Sequence, residues 1–135
     1  MTAVARVRCE RRGDLTLCAI AGEIDPTNVA DVQKALLEAP ARPGDRPASD
    51  ASTGEENRSV RKLVVDFDEL SFIDSAGIAM LFDVSRRLRH DGVRLALAMP
   101  LDSPVRRVLE LVRIDSVAAL ASTHEAAIAA LGDLA

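Results

Sequence analysis

Apolar and polar positions alternate in two short runs near the start of the chain, "AVARVRC" and "LTLCAIAG". The polar stretch "ERRGD" separates them, and two β-rich runs around a turn containing Gly13-Asp14 predict a hairpin. In "GEIDPTNVADVQKALLEA" the period changes. Val29, Val32 and Leu36 recur at helical spacing, with Asp25 or Thr27 as the expected N-cap and Pro26 tolerated in the first turn. From Pro40 to about Ser59 the pattern lapses. "PARPGDRPASDASTGEENRS" has almost nothing large and apolar to offset the entropy of ordering it, which predicts a flexible, disordered loop over 40–59.

Order returns with "RKLVVDF", a continuous apolar run of the kind found in a central strand buried on both faces. A helix follows from about Ser75 to His90, stopped by Gly92. On its wheel Ile78, Leu81, Phe82, Ser85 and Leu88 share one side, and Ala76, Ala79, Asp83 and Arg87 the other. Arg86, Arg87 and Arg89 stand near its C-terminus, where positive charge suits the helix dipole. Next come the strand "VRLALAM" and the helix "VRRVLELVRI", with Ser103 as N-cap, Pro104 at the first helical position and an apolar stripe of Val105, Val108, Leu109 and Val112. A weak strand, "SVAALA", and a short helix, "THEAAIAALGDL", complete the order. A leading hairpin followed by alternating helix and strand predicts one α/β domain over residues 1–135, a mixed sheet flanked by helices.

Composition narrows the function. A chain of 135 residues can bury a core without staples, and with three Phe, no Trp and no Tyr that core is aliphatic. Aromatic platforms for single-stranded nucleic acid are therefore excluded. A net charge of −4 argues against non-specific binding to DNA or to an anionic membrane. No apolar run approaches the roughly 18 residues of a membrane span, and "MTAVARVRCERRGD" lacks a secretory h-region. The expected location is the cytoplasm, with Cys9 and Cys18 as reduced thiols there by default, because two cysteines are too few for a disulfide scaffold; a redox role for the pair is the alternative.

Enzymatic chemistry finds little support. Neither a Walker loop nor a dinucleotide fingerprint is present. His90 reads as a surface residue, and His124-Glu125 lacks the second histidine of a zincin, so no metal or cofactor is expected. Ser75 has no persuasive histidine base and is not in a G-x-S-x-G elbow, since position 73 is Ile. What remains is the junction "FIDSAGI", where an acid, a hydroxyl and a glycine meet at the start of a helix. Ser75 there can cap the helix, a contribution of about 0.5–2 kcal/mol over alanine. It can accept a phosphoryl group, whose nearly two negative charges the helix N-terminus tolerates and a docked partner does not. The junction can also hold an anionic ligand, although no Lys or Arg stands beside it. Met80, Ala76 and Ala79 are candidates for a flat contact surface on the same helix.

The ordered set "LVVDF…FIDSAG", the helix ending in "HDG", a strand closing at a proline, "PVRRVLEL…ID" and the upstream "LCAIAGEIDPTN" resembles the STAS domain, and within it the stand-alone bacterial anti-sigma factor antagonists. The resemblance runs from about Val4 to Leu131, apart from the loop at 40–59. It implies a protein-binding module rather than an enzyme. The implied partner is an anti-sigma factor, usually a Ser/Thr protein kinase of the histidine-kinase-like ATPase fold, whose capture releases a sigma factor in stress or developmental transcription. The kinase would phosphorylate Ser75 and a PP2C-type phosphatase would reverse it, with Asp25, Asp74, Ala76, Gly77 and Ala79 around the contact. Two departures from the family stand out: Ala76 replaces the common Ser or Thr, and the 40–59 loop is longer than usual. The alternative within the same resemblance is a subunit of a lipid-transport ABC complex or of a signalling scaffold, with Ser75 only a cap.

Overall fold

The computed structural model describes residues 4–40 and 60–132, so the loop expected at 40–59 lies, but for Pro40, outside the described residues. β1 (Ala5–Arg12) and β2 (Leu15–Ile24) form the expected hairpin, closed by Gly13 and Asp14. Gly13 has φ +61°, the conformation that a two-residue hairpin turn matched to the twist of its strands demands at its first central position. This turn sets the register, since each cross-strand pair is equidistant from it. Arg12 faces Leu15, and counting back, Cys9 faces Cys18. The two cysteines are joined as a disulfide, which corrects the reading of both as reduced thiols. The signal was their spacing about Gly13-Asp14, which a count of cysteines does not reveal.

β3 (Arg61–Asp66) lies parallel to the first half of β2, and β4 (Leu70–Ile73) to its second half. β4 is not among the strands that the hydrophobic pattern predicts; at four residues it is too short for alternation to register. β5 (Val93–Ala98) pairs with β3, and β6 (Ala119–Ala121) with β5, all parallel. The six strands form a mixed sheet of order β1-β2-β3-β5-β6, with β4 beside β2.

Four helices cover it: α1 (Val29–Glu38), α2 (Ser75–His90), α3 (Pro104–Leu111) and α4 (His124–Gly132). Val32, Leu36, Leu81, Leu88, Val105 and Leu109 join Ile20, Leu63, Val65 and Leu97 in one core. The alternate strand residues, Val64, Ala96, Ala98 and Ala121, pack against Ala127 and Leu131 of α4. β3 and β5 are thus buried on both faces, as a continuous apolar run requires.

Local details depart from expectation in four places. α1 begins at Val29 behind Asn28, which makes no capping bond, so neither Asp25 nor Thr27 is its N-cap. On α2, Met80 and Val84 are buried together with Leu81, Ser85 and Leu88, and Ser85 satisfies its hydroxyl by donating to Leu81 O at 2.7 Å. On α3, Ser103 caps as expected, its Oγ accepting from the N–H groups of Val105 and Arg106. The buried face, however, includes Arg106, and Val112 is exposed. His124, read as lacking a partner for acid–base work, places Nε2 2.6 Å from Asp66 Oδ2.

The β3–β4 turn carries a pH signature. Asp68 N donates to Asp66 Oδ1 at 2.7 Å, and burial, followed by the charge of Asp66, pushes the Asp68 carboxyl above its ordinary range. A raised native pKa means that the folded chain holds this proton more tightly than the unfolded one. The penalty for ionising Asp68 is therefore full above the raised value and vanishes below the ordinary one. Asp68→Asn is expected to melt slightly above the wild type at about pH 7, with the gain fading toward about pH 3. Thermal unfolding at both pH values checks this, and a gain that did not shrink in acid would contradict it.

Candidate functional site

The site is built where β2 and β4 end. Ile24 and Ile73 are register partners at the last positions of the two parallel strands, and both are buried. Asp74 N donates to Ile24 O at 3.3 Å, extending the pairing by one step. Asp25 and Asp74 are consequently the next residues on neighbouring strands, which brings the "GEID" turn beside the "FIDSAG" junction although the two aspartates are 49 residues apart in sequence.

Gly22 fixes the approach to that turn. Its φ is +104°, and a Cβ on it would collide with the carbonyl oxygen of Val4. The β2–β4 register slips between Gly22 and Glu23, so the glycine marks a bulge. Ser71 Oγ donates to Gly22 O at 3.0 Å and Gly22 N donates to Glu69 O at 3.0 Å, tying the bulge to β4 and the turn before it. Beyond it Asp25 is half-buried, and its Oδ1 accepts from Thr27 N at 2.9 Å and from the Thr27 hydroxyl. Asp25 N donates to Asn28 Oδ1, and Asn28 Nδ2 donates back to Glu23 O. Asp25 thus shapes a tight turn ahead of α1.

At the start of α2, Asp74 is extended and is the N-cap: its Oδ1 accepts from Gly77 N at 3.0 Å. This bond takes over one of the free N–H groups of the first turn, the duty that was one of three offered to Ser75. Ser75 is the first helical residue, exposed, and its Oγ makes no hydrogen bond to any described residue. The plain capping role is therefore corrected: the cap is Asp74. Gly77, named among the expected contact residues, packs inward. It is buried, and a Cβ there would come within 2.6 Å of Ile73 Cγ1 and 2.9 Å of Ile24 Cγ2, so its role is to seat α2 on the strand ends. Met80, 4% exposed, belongs to the core and not to a flat contact surface. Ala79 is exposed and Ala76 half-buried.

One neighbour escaped the sequence reading. Phe72, three residues before Ser75, is 47% exposed, whereas Phe67 is wholly buried and Phe82 packs against the core. Within β4 Leu70 and Ile73 are buried and Ser71 and Phe72 exposed, a break in the two-residue period where the β2–β4 register slips. The assembled surface therefore offers a free hydroxyl, an exposed aromatic ring and small residues on the first turns of a 16-residue helix. Its chemical capacity is that of an acceptor. The hydroxyl is open to an incoming phosphoryl group, and the unpaired N–H groups and positive dipole end of α2 lie beneath it. No helix among the described residues is long and apolar enough to cross a membrane.

The model of the STAS domain matches residues 6–127. Among solved structures, an anti-sigma factor antagonist from Mycobacterium paratuberculosis superposes with a TM-score of 0.70 at 18% identity, over 96% of each chain. The anti-sigma factor antagonist SpoIIAA in its unphosphorylated form gives 0.63 at 20% identity, over 96% of this chain and 100% of that one. The Bacillus cell fate determinant SpoIIAA in its phosphorylated form gives 0.58 at 21%, over 93% and 99%. At these identities the likeness is one of fold. No curated protein matches the sequence. With the family model spanning nearly the whole sheet, from β1 into α4, the chain belongs to the STAS domain family.

Proposed function

We propose that the protein is an anti-sigma factor antagonist, a binding module that captures an anti-sigma factor and is released from it by phosphorylation of Ser75. The observation that carries this reading is the division of labour at the head of α2. Asp74 caps the helix, so the Ser75 hydroxyl is exposed and uncommitted. A hydroxyl that carries no capping bond can be phosphorylated without disturbing the cap. Here the phosphoryl group adds charge at the helix N-terminus and leaves the fold intact. A structural neighbour known in both phosphorylated and unphosphorylated forms supports the same reading.

The partner surface in this proposal comprises Ser75, Asp74, Asp25, Ala76 and Ala79, with Phe72 as its aromatic anchor. Exposed aromatic side chains such as Phe72 are of the type enriched at protein interfaces. The partner is a Ser/Thr kinase anti-sigma factor acting in the cytoplasm, with a PP2C-type phosphatase closing the cycle. The test is intact-mass spectrometry with site mapping on protein recovered from its own host, during growth and under stress. One phosphoryl group on Ser75, varying with condition and absent from Ser75→Ala, is the expected result. Phosphate at no condition, with an ABC-transporter ATPase co-purifying in place of a kinase-fold partner, would overturn the reading.

A further inference from the structure

We propose that Cys9 and Cys18 form a thiol–disulfide exchange site, opened by small thiols or a dithiol reductant attacking at the Cys9 sulfur. This inference does not depend on the identity of the binding partner. It starts from an asymmetry: Cys9 is exposed on β1, whereas Cys18, directly opposite on β2, is 1% exposed within the core. β1 is the edge strand, bonded to β2 alone, so the Cys9 side of the bond is open to a reagent and the Cys18 side is not.

The surroundings favour anionic reagents. β1 carries Arg6, Arg8, Arg11 and Arg12 against the single acid Glu10, a concentration of positive charge in a chain whose net charge is −4. Glu10 is paired with Arg12, and Arg11 donates to Ala39 O, while the guanidinium groups of Arg6 and Arg8 have no ion-pair or hydrogen-bond partner among the described residues. A thiolate or an acidic thiol such as glutathione is drawn to such a strand, because thiol exchange proceeds through the thiolate.

In the step itself, a thiolate attacks Cys9 Sγ and the Cys9–Cys18 bond breaks. The electron pair leaves on Cys18 Sγ, which takes a proton. A second thiolate then attacks the reagent sulfur of the mixed disulfide and expels Cys9, which is protonated in turn. The reagent ends as its own disulfide, oxidised by two electrons, and the protein as a dithiol. A disulfide reagent of the same class reverses both steps. Opening the bond removes the cross-link in the middle of the hairpin and leaves β1 joined to β2 by peptide bonds only through the Gly13-Asp14 turn. β1 is then held by its ladder to β2, by Arg11 on Ala39 O, and by Val4 O on Glu23 N beside the "GEID" turn.

The experiment equilibrates the folded full chain with graded ratios of reduced to oxidised glutathione, then unfolds it in denaturant with N-ethylmaleimide so that every free thiol is alkylated, and reads intact mass and the position of any glutathione. The expected result is a graded passage from the unalkylated disulfide to the doubly alkylated dithiol, with transient glutathione on Cys9. Cys18→Ala should accumulate that Cys9 adduct, and Cys9→Ala should react only after the chain is unfolded in denaturant. Hydrogen exchange of the β1 amides should quicken roughly tenfold or more on reduction, since the cross-link no longer limits opening. A disulfide that persists or is absent at every ratio, or an adduct borne by Cys18 in the folded chain, would overturn the proposal.

Discussion

Ser75→Glu is expected to weaken binding to the proposed kinase-fold anti-sigma partner by roughly tenfold to a thousandfold, while Ser75→Ala stays within about twofold of the wild type. The two variants differ in charge at one exposed position and in little else. Inside the domain, a carboxylate at the first helical residue meets the positive end of the α2 dipole, a favourable interaction of about 0.3–1 kcal/mol. Ser75→Glu should therefore unfold no earlier in urea than the wild type. Against a docked partner the balance reverses. The charge must be stripped of water where the partner docks, and a charge buried there without a counter-charge costs several kcal/mol. Titration of the three proteins against the partner, with urea unfolding in parallel, separates the two effects. Equal affinities for all three would sink the phosphorylation switch, and a Ser75→Glu protein that had lost stability would place Ser75 in the fold and not at the interface.

The path from sequence to this site is uneven, for physical reasons that can be named. The hairpin was legible because alternation and Gly13-Asp14 are local signals, and α3 because Ser103-Pro104 is a local start signal. The choice of cap at α2 was not. Asp74 and Ser75 are adjacent and both are good N-caps, and only the pairing of Ile73 with Ile24, a long-range fact, stations Asp74 at the end of the strand with its carboxylate over Gly77 N. The disulfide was legible in principle, since Cys9 and Cys18 are equidistant from the turn, but hairpin and cysteines have to be considered together for the pair to emerge. Met80 misled for a different reason: the apolar stripe of α2 is wider than a single helical face, because α1 and the sheet both pack on it. Gly77 packs against Ile73 and Ile24, which come from strands whose pairing no local pattern announces.

Arg106 is where the fold departs furthest from a binary pattern, and its removal carries the largest expected cost in stability. It is 8% exposed in the buried face of α3, next to Val105 and in line with Leu109, where an apolar side chain would be expected. Its stem packs as an apolar residue would. Its head does what no apolar residue can: Nη1 donates to Met99 O at 3.0 Å and to Ala121 O at 3.1 Å, and Nε donates to Glu110 Oε2 at 3.1 Å. Met99 and Ala121 lie where β5 and β6 end, so the guanidinium ties the strand ends to α3. Arg106→Met keeps the stem and strands two carbonyls with fewer donors, and should lower unfolding free energy by about 2–4 kcal/mol. Glu110→Gln should cost no more than about 1 kcal/mol, because Glu110 is half exposed and its ion pair is screened by water. Urea unfolding of both variants, at constant m-value, decides between them. Equal losses would make the ion pair the source of stability, and a loss confined to Arg106→Met would assign it to the carbonyls. Arg106→Met should also keep its affinity for the partner per folded molecule, since no part of the Asp25–Asp74–Ser75 surface touches the guanidinium.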